Sequence, residues 1–414
     1  MAKDHVAIIG AGIVGVSTAL WLQRKGMDVT LIDREGVAAG TSYGNAGILA
    51  SSGIIPVTTP GLLLKAPKML FSANEPLFVR WSYLPKMLPW LFKFLRKANL
   101  KDMEQITADL HKVMYDSVEQ HKALAKGTGA EKYIKDASYI HGYESREEFE
   151  KDGLYWKTMR DVGLELVEMG PDEIAAYDPA LKGKIKYAMQ SPVDGQITDP
   201  GEYIKTIAAH FEAQGGKIVI DEIVDIEKMG ERVVAVETSD GENIKADSFV
   251  LTTGAWSKPL AQKLGAKIPL ETERGYHLEF VNANIKLRSP VMVTSGKFAM
   301  NSMNGRLRCA GIVELGGLEA GPSKAPIELL KRKVFELFPE LEYDEINEWM
   351  GFRPSTPDSL PVIGNFKGAQ NFWAGFGHQH LGLTGGPKTG RWIAQMIAGE
   401  KLNEDISAFS TDRF

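Results

Sequence analysis

The sequence predicts an α/β fold with two parts, a doubly wound parallel sheet and a second part of α+β character. Three observations support this prediction. Residues 6–33 read as a strand, a glycine turn, a helix and a second strand that ends in an acid. A chain of 414 residues is too long for a typical single core. Residues 264–347 are rich in strand patterns and differ in character from the opening.

The opening motif has the features of a dinucleotide-binding unit. In GAGIVG, Gly10 permits the tight exit from the strand and Gly12 lets a pyrophosphate approach the helix N-terminus. Gly15 lets the helix pack closely on the sheet. Asp33, at the end of the second strand, is placed to accept hydrogen bonds from a ribose. The motif predicts a bound dinucleotide and leaves NAD and FAD open.

Composition excludes several classes of protein. The chain has 48 basic and 53 acidic residues and a net charge of -5, which gives no electrostatic case for nucleic acid binding. With Cys309 as the single cysteine, no intrachain disulfide or clustered thiolate site can form, and no metal site is predicted. We expect a reducing, cytoplasmic location, because the N-terminus lacks signal-peptide features and no apolar run is long enough to span a membrane.

Residues 54–100 combine prolines, apolar and aromatic residues, and cations, which predicts short helices and corners. One interpretation is that the apolar faces cover the substrate domain. The other is contact with the inner face of the cell membrane, with cations beside aromatic rings at the lipid surface. The side chains that suggest the second interpretation are Trp81, Lys86, Trp90, Phe92, Lys93, Phe94, Arg96 and Lys97.

The middle of the chain predicts a return to the parallel sheet. Residues 102–126 are typical of a solvent-facing helix, and residues 131–181 of α+β structure. From residue 194 a helix, a strand, a hairpin and the buried strand SFVLTTGAWS follow in order. We therefore expect Thr253 and Gly254 near the first glycine turn.

The last third supplies further candidate residues. Cys309 lies in a predicted strand and is interpreted as a small buried residue, since no base or helix N-terminus lies nearby in the sequence to lower its pKa. A rigid Pro-rich turn is predicted around Arg353. A second glycine turn then leads into a helix near Gly382, which offers another group of free amides.

Together these stretches resemble the FAD-dependent D-amino acid oxidase superfamily, and within it the bacterial D-amino acid dehydrogenases and D-hydroxyproline dehydrogenases. The similarity covers essentially the whole chain and rests on GAGIVG with Asp33, GTSYGNAG, LTTGAWS, GFRPSTPDSLPVIG and GHQHLGLT. It implies a discontinuous Rossmann-like FAD-binding domain and a substrate domain with a mostly antiparallel sheet. The expected boundaries are 1–60, 194–262 and 348–414 for the FAD-binding domain, and 61–193 and 263–347 for the substrate domain.

The resemblance also implies roles for individual residues in cofactor binding. The glycine turn would hold the pyrophosphate, Asp33 the ribose, the loop after residue 40 the flavin, Ile223 the adenine side, and the turn at Gly382 the pyrimidine edge of the flavin. The complete predicted set is Gly10, Ala11, Gly12, Ile13, Val14, Gly15, Asp33, Arg34, Ser42, Asn45, Ala46, Gly47, Ile48, Ile223, Thr253, Gly254, Gly382, Leu383 and Thr384.

The substrate residues follow from the same resemblance. Arg353 matches the family's carboxylate clamp, and a planar guanidinium suits two parallel hydrogen bonds to a carboxylate. Tyr276, with the adjacent His277, and His380 are candidates for further substrate contacts, and each of the first two is equally well a packing residue. His378 is interpreted as structural.

Two positions depart from the family pattern. Gly351 stands where the covalently flavinylated relatives have cysteine, so noncovalent FAD is expected. Gln379 replaces a glycine common in the turn, which leaves the backbone geometry there open.

The function implied is oxidation of a D-amino acid, or of a cyclic analogue such as D-proline or hydroxy-D-proline, to its imine by hydride transfer to flavin N5. The expected electron acceptor of such a dehydrogenase is a quinone or an electron-transfer protein. Two alternatives stay open: an oxygen-using amine oxidase of the glycine or sarcosine type, and a flavin subunit that relays electrons without catalysis.

Overall fold

The computed structural model describes residues 4–62 and 77–414. The expected short helices and corners of residues 54–100 therefore lie partly outside the described residues. The strands are β1 (His5–Ile9), β2 (Asp28–Asp33), β3 (Ile48–Leu49), β4 (Leu77–Val79), β5 (Ile134–Asp136), β6 (Tyr139–Tyr143), β7 (Val167–Met169), β8 (Tyr187–Ser191), β9 (Gly195–Ile197), β10 (Lys217–Ile220), β11 (Ile223–Met229), β12 (Arg232–Thr238), β13 (Asn243–Lys245), β14 (Ser248–Leu251), β15 (Glu271–Val281), β16 (Val291–Val293), β17 (Phe298–Met303), β18 (Arg306–Leu315), β19 (Glu345–Ser355), β20 (Val362–Phe366) and β21 (Ala369–Phe376).

The α-helices that connect and cover these strands are numbered in the same way. They are α1 (Ile13–Arg24), α2 (Thr41–Gly44), α3 (Leu84–Arg96), α4 (Leu100–Met114), α5 (Ser117–Ala125), α6 (Arg146–Lys151), α7 (Gly153–Asp161), α8 (Pro171–Tyr177), α9 (Pro200–Ala213), α10 (Ser257–Lys263), α11 (Lys324–Leu337) and α12 (Gly382–Ile397).

The predicted α/β fold is confirmed, with a parallel sheet at its centre. Its strand order is β10-β2-β1-β14-β21-β20, and every neighbouring pair is parallel except β20 with β21. Alternate residues of β1 enter different cores: Val6 and Ile8 pack with the helices α1, α9 and α12, whereas Ala7 and Ile9 pack with the three-stranded sheet β11-β12-β13. Both faces of the sheet are therefore covered, as a parallel sheet requires.

The second sheet has nine strands and is mostly antiparallel, as predicted. Its order is β19-β15-β18-β17-β16-β6-β8-β7, with β4 paired to β18, and only the β16–β6 and β18–β4 pairs are parallel. One face packs on α11 through side chains of β15 such as Leu278 and Phe280. On the central strands, the residues that alternate with these, such as Glu273 and Gly275 of β15, face the cavity described below.

Two local predictions are wrong. Residues 102–126 form two helices, α4 and α5, rather than one solvent-facing helix, and Met103, Leu110 and Leu124 are buried. Arg353 lies within the strand β19 and not in a turn. The Pro-rich turn begins only after Ser355, because β19 pairs with β15 along its whole length.

The domain boundaries stay a prediction. The parallel sheet takes its strands from residues 5–33, 217–251 and 362–376, which lie in the three segments assigned to the cofactor domain. However, α4 and α5 pack in one hydrophobic cluster with α1 and α12, although they were assigned to the substrate part. Conversely, β19 belongs to the nine-stranded sheet, although its residues from 348 onward were assigned to the cofactor domain.

Candidate active site

In the glycine turn between β1 and α1, neighbouring atoms lie so close to the glycines that no side chain fits. Gly10 has φ +106°, and an added Cβ would lie 2.6 Å from the carbonyl oxygen of Thr252. A Cβ on Gly15 would lie 1.8 Å from the carbonyl oxygen of Gly10, so only glycine lets the helix pack on this turn. A Cβ on Gly12 would meet the Ser42 hydroxyl at 2.9 Å. The turn therefore exposes backbone where a phosphate group can approach.

Asp33 holds this turn as well as facing the cavity. One carboxylate oxygen accepts a hydrogen bond from the Ala11 amide at 2.7 Å. The other accepts from the amides of Glu35 at 2.9 Å and Gly36 at 3.0 Å. The predicted ribose contact would add to these bonds, since each carboxylate oxygen accepts more than one hydrogen bond.

One cavity of about 980 Å³ connects the glycine turn with the nine-stranded sheet. Of the residues predicted to hold the cofactor, those that line it are Gly10, Gly12, Ile13, Val14, Asp33, Arg34, Ser42, Asn45, Ala46, Ile48, Ile223, Thr253, Gly254, Gly382, Leu383 and Thr384. Ala11, Gly15 and Gly47 lie behind this lining and shape its backbone. The predicted residues thus gather from six separate stretches of the chain.

The far end of the cavity suits a purine ring. The Arg34 guanidinium lies 4.4 Å from the ring centre of Trp256 and 3.6 Å from the carboxylate of Glu222. Ile223 and Thr253 line the same end. Flat cationic and aromatic surfaces of this kind stack on an aromatic base.

A second helix N-terminus, that of α12, faces the cavity. His121 on α5 bonds through its ring to the Tyr203 hydroxyl and the Leu383 carbonyl, both at 2.9 Å. Ser117 donates to the Thr384 carbonyl at 2.7 Å. Burial lowers the pKa of His121 to about 4, so the ring is neutral at pH 7. Sequence reasoning missed both side chains, which hold the first turn of α12 in place.

Arg308 fixes the loop that carries the predicted flavin contacts. Its buried guanidinium donates to the carbonyls of Tyr43 at 2.8 Å and Asn45 at 2.5 Å, and pairs with Glu279. His277 bonds to the Gly44 carbonyl at 2.9 Å. Burial and the Arg308 charge lower the pKa of His277 to about 3. His277 therefore acts as a neutral packing residue of this loop.

Arg353 projects into the cavity from β19. A Cβ on the facing residue Gly275 would lie 2.5 Å from the Arg353 Cζ, so the guanidinium lies over this glycine. Burial lowers the pKa of Arg353, and the nearby Glu273 opposes this effect. Within residues 4–62 and 77–414 the guanidinium makes no hydrogen bond or ion pair. A charged planar fork thus faces the cavity with its donors available.

His380 also lines the cavity, close enough to feel the charge of this guanidinium. Its side chain is exposed to the cavity. Desolvation by the surrounding protein and the positive charge of Arg353 lower its pKa, which favours the neutral ring. The preceding Gln379 has φ +51°, and its amide donates to the Pro354 carbonyl at 2.9 Å. Its side chain donates to Ser355 and Thr356 at 3.2 Å, which holds the strained turn without glycine.

Tyr276 lines the cavity, but its hydroxyl is bonded outside it. Its hydroxyl donates to Glu314 at 2.6 Å and accepts from the Ser323 amide at 3.0 Å, and its ring packs with α11. Successive residues of a strand face opposite sides, and the sheet places Gly275 toward Arg353. Because Tyr276 also lines the cavity, its contact with substrate stays a prediction, while its hydroxyl is held by Glu314 and Ser323.

Three other residues have structural positions. His378 bonds to the Thr389 hydroxyl at 2.9 Å, and burial lowers its pKa to about 4. Cys309 is fully buried in β18, as predicted, and burial raises the pKa of its thiol. The Trp349 indole covers Gly351, whose added Cβ would lie 2.0 Å from the ring. No cysteine lines the cavity in the described part of the chain.

Helix α3 covers the end of the cavity that holds Arg353. Met87, Trp90 and Phe94 face inward, and the Trp90 indole donates to the Ser355 carbonyl at 3.2 Å. Leu88 and Phe92 on the opposite face are exposed by 52% and 65%. The helix therefore has an apolar inner face and a partly apolar outer face.

Two kinds of site find no support in the described ranges. No group of three or more His, Cys, Asp or Glu side chains there is arranged to hold a metal ion. No helix within those ranges is long and apolar enough to cross the bilayer.

Comparison with known proteins gives consistent results. The family model "FAD dependent oxidoreductase" (DAO) matches residues 5–396. The chain is 39% identical to "D-amino-acid oxidase" of Bradyrhizobium diazoefficiens, over 99% of both proteins. It is 30% identical to "D-amino acid dehydrogenase" of Paramagnetospirillum magneticum, over 99% of this chain and 98% of that one. A crystal structure of glycine oxidase from Geobacillus kaustophilus shares the fold, with a TM-score of 0.76, 20% identity and complete coverage of both chains.

Proposed function

The chain belongs to the DAO family of FAD-dependent oxidoreductases, and on this premise we propose that it oxidises the α-carbon–nitrogen bond of a D-amino acid. Three features of the cavity fit FAD. The glycine turn fits the pyrophosphate, the Arg34 and Trp256 surfaces fit the adenine, and the N-terminus of α12 fits the flavin. The relatives with 39% and 30% identity are named for oxidation of D-amino acids. The observation that carries the proposal is Arg353, whose guanidinium faces the same cavity over Gly275.

The side chains around Arg353 would have different roles in the reaction. Arg353 would bind the substrate carboxylate through two parallel hydrogen bonds and so fix its orientation. Neutral His380 adds no second charge and leaves a ring nitrogen able to accept a hydrogen bond. Trp90 and Phe94 line this end of the cavity and would exclude water from the reacting carbon. FAD supplies the hydride acceptor, and the substrate amine must be unprotonated when the α-hydrogen leaves.

The product of this reaction is an imine. An open-chain imine is hydrolysed by water to a keto acid, whereas a cyclic amine such as D-proline gives a ring imine. We propose that FAD is held noncovalently, since Gly351 carries no thiol and Trp349 covers its Cα.

We propose a membrane quinone as the electron acceptor, supported by the outer face of α3. Residues 77–101 contain six Lys and Arg and no acidic residue, in a chain of net charge -5. Leu88, Phe92 and Trp81 are exposed beside these cations. Apolar side chains among cations favour a membrane surface with anionic lipids. The inner face of the same helix lines the cavity, which would bring a lipid-dissolved acceptor close to the flavin.

Oxygen is the second candidate acceptor, favoured by the name of the relative with 39% identity. The two acceptors are separated by reducing the enzyme anaerobically with substrate and then mixing it with oxygenated buffer or with quinone in anionic vesicles. Fast reoxidation by quinone and slow reoxidation by oxygen supports the dehydrogenase. The reverse result supports an oxidase.

The electron-relay alternative is tested with Arg353→Ala. We expect this variant to retain FAD and to lose reduction by amino acids, while dithionite still reduces it. Equal reduction of the variant and the wild type by substrate would contradict the proposed role of Arg353.

A further inference from the structure

The acidic side chains that line the cavity are unevenly distributed. Four of them, Asp33, Glu35, Asp221 and Glu222, lie at the dinucleotide end. Among the described residues, Glu273 is the one carboxylate that lines the substrate end. It lies directly opposite Arg353 in the β15–β19 register. Lys297, just before β17, also lines the cavity, but Arg353 is the cation that faces Glu273 across the β15–β19 pair.

The two charged groups lean in opposite directions along the strands. The Arg353 guanidinium lies over Gly275, which is two residues along β15 from Glu273. Glu273 instead accepts a hydrogen bond from the Ser355 hydroxyl at 2.8 Å, toward the other end of the pair. With a rise of about 3.4 Å per residue, the two head groups are roughly 7–10 Å apart. No ion pair of 4 Å or less joins them within residues 4–62 and 77–414.

The walls between these groups are apolar. Val313 and Leu315 of β18 and Met87, Trp90 and Phe94 of α3 line this part of the cavity. A carboxylate in such surroundings is costly unless hydrogen bonds and an opposite charge compensate it. Ser355 supplies one hydrogen bond to one oxygen of Glu273, and the described residues supply none to the other. A positively charged ligand group would complete the site.

We propose that Glu273 binds the cationic end of the substrate side chain, so that the preferred substrates are basic D-amino acids. This inference rests on the proposed function. In a basic D-amino acid, the α-carboxylate would bind Arg353 and the side-chain ammonium or guanidinium would bind Glu273. These two groups are joined by a stem of four methylenes in lysine and of three in arginine. That stem lies against the apolar walls while both charges are paired.

The test compares substrates that differ only in charge. Anaerobic reduction of the flavin by D-lysine and by the neutral isostere D-norleucine is followed at increasing concentration for the wild type and for Glu273→Gln. We expect the wild type to prefer D-lysine, and Glu273→Gln to raise the apparent Kd for D-lysine about 10- to 100-fold. The Kd for D-norleucine should change less than about threefold. We expect Glu273→Arg to bind D-glutamate better than D-lysine.

Glu271→Gln is the matched control, because Glu271 is on the same strand, bonds to the Tyr83 hydroxyl at 2.9 Å and does not line the cavity. It should leave the ratio of the two Kd values unchanged. Equal reduction of the wild type by D-lysine and D-norleucine would overturn the inference, as would equal weakening of both substrates by Glu273→Gln. These results differ from failure of the proposed function, in which no D-amino acid reduces the wild-type flavin.

Discussion

The substitution Gly275→Ala tests whether the position of the Arg353 guanidinium governs the reaction. The added Cβ would lie 2.5 Å from the Arg353 Cζ, whereas ordinary contacts are 3.4–4 Å, so the guanidinium must move by about 1 Å. A misplacement of this size costs about 100-fold in rate, and we expect that loss in the apparent second-order rate of flavin reduction. The atom displaced is the end of a flexible side chain, so the free energy of unfolding should change by less than about 1 kcal/mol.

The assay is anaerobic stopped-flow reduction, with FAD content and a urea melt measured on the same preparation. Gly142→Ala is the control, since it makes the same change in β6 of the same sheet, where its Cβ would meet the Ile185 side chain at 2.9 Å. The control should reduce at the wild-type rate. Wild-type reduction by Gly275→Ala would refute the assigned role of the guanidinium, and loss of FAD from it would show that the glycine serves the cofactor instead.

Three further predictions address the clamp, the core and the outer surface. Arg353→Lys keeps the charge but loses the planar fork, so the Kd for substrate should rise about 10- to 100-fold with FAD retained, and an unchanged Kd would argue against bidentate binding. Burial raises the pKa of Asp194 to about 6, above the unfolded value of about 3.9. Its contribution to stability is therefore present at pH 4 and lost as the pH rises through 6. Relative to Asp194→Asn, the wild type should lose about 2 kcal/mol of unfolding free energy between pH 4 and 6.5, measured by urea melts, whereas a constant difference would contradict the raised pKa. The double variant Leu88→Ser, Phe92→Ser should lose cosedimentation with anionic vesicles but keep activity with a soluble dye, and unchanged sedimentation would remove the support for a membrane acceptor.

The first strand, turn and helix could be predicted in detail because few residue types fit the backbone of this turn. Gly10 and Gly15 each leave no room for a Cβ, so the spacing of the glycines reports the turn directly. The burial of α4 and α5 could not be predicted, since an amphipathic pattern does not say which surface covers it. His121 shows this, because its partner Leu383 is 262 residues away.

The substrate end was harder to predict from sequence for two physical reasons. Pro354 suggests a turn, but β19 is at the edge of the nine-stranded sheet, where a missing amide donor is tolerated. The alternation along β15 separates Gly275 from Tyr276, but it does not show which side is the cavity, and a register irregularity at Tyr276 lets both residues line it. Glu273 shares the parity of Gly275, and that spacing was the one sequence signal that could have identified it.

The most direct measurement is the visible spectrum of the anaerobic protein during addition of D-amino acids and their L-enantiomers. The series should contain D-lysine, D-norleucine, D-proline and the hydroxy-D-prolines. Oxidation of D-amino acids at a site built around Arg353 predicts that the yellow flavin spectrum bleaches with a D-enantiomer and not with its L-partner. A flavin that dithionite bleaches, but that no D-amino acid reduces, would contradict the proposed function.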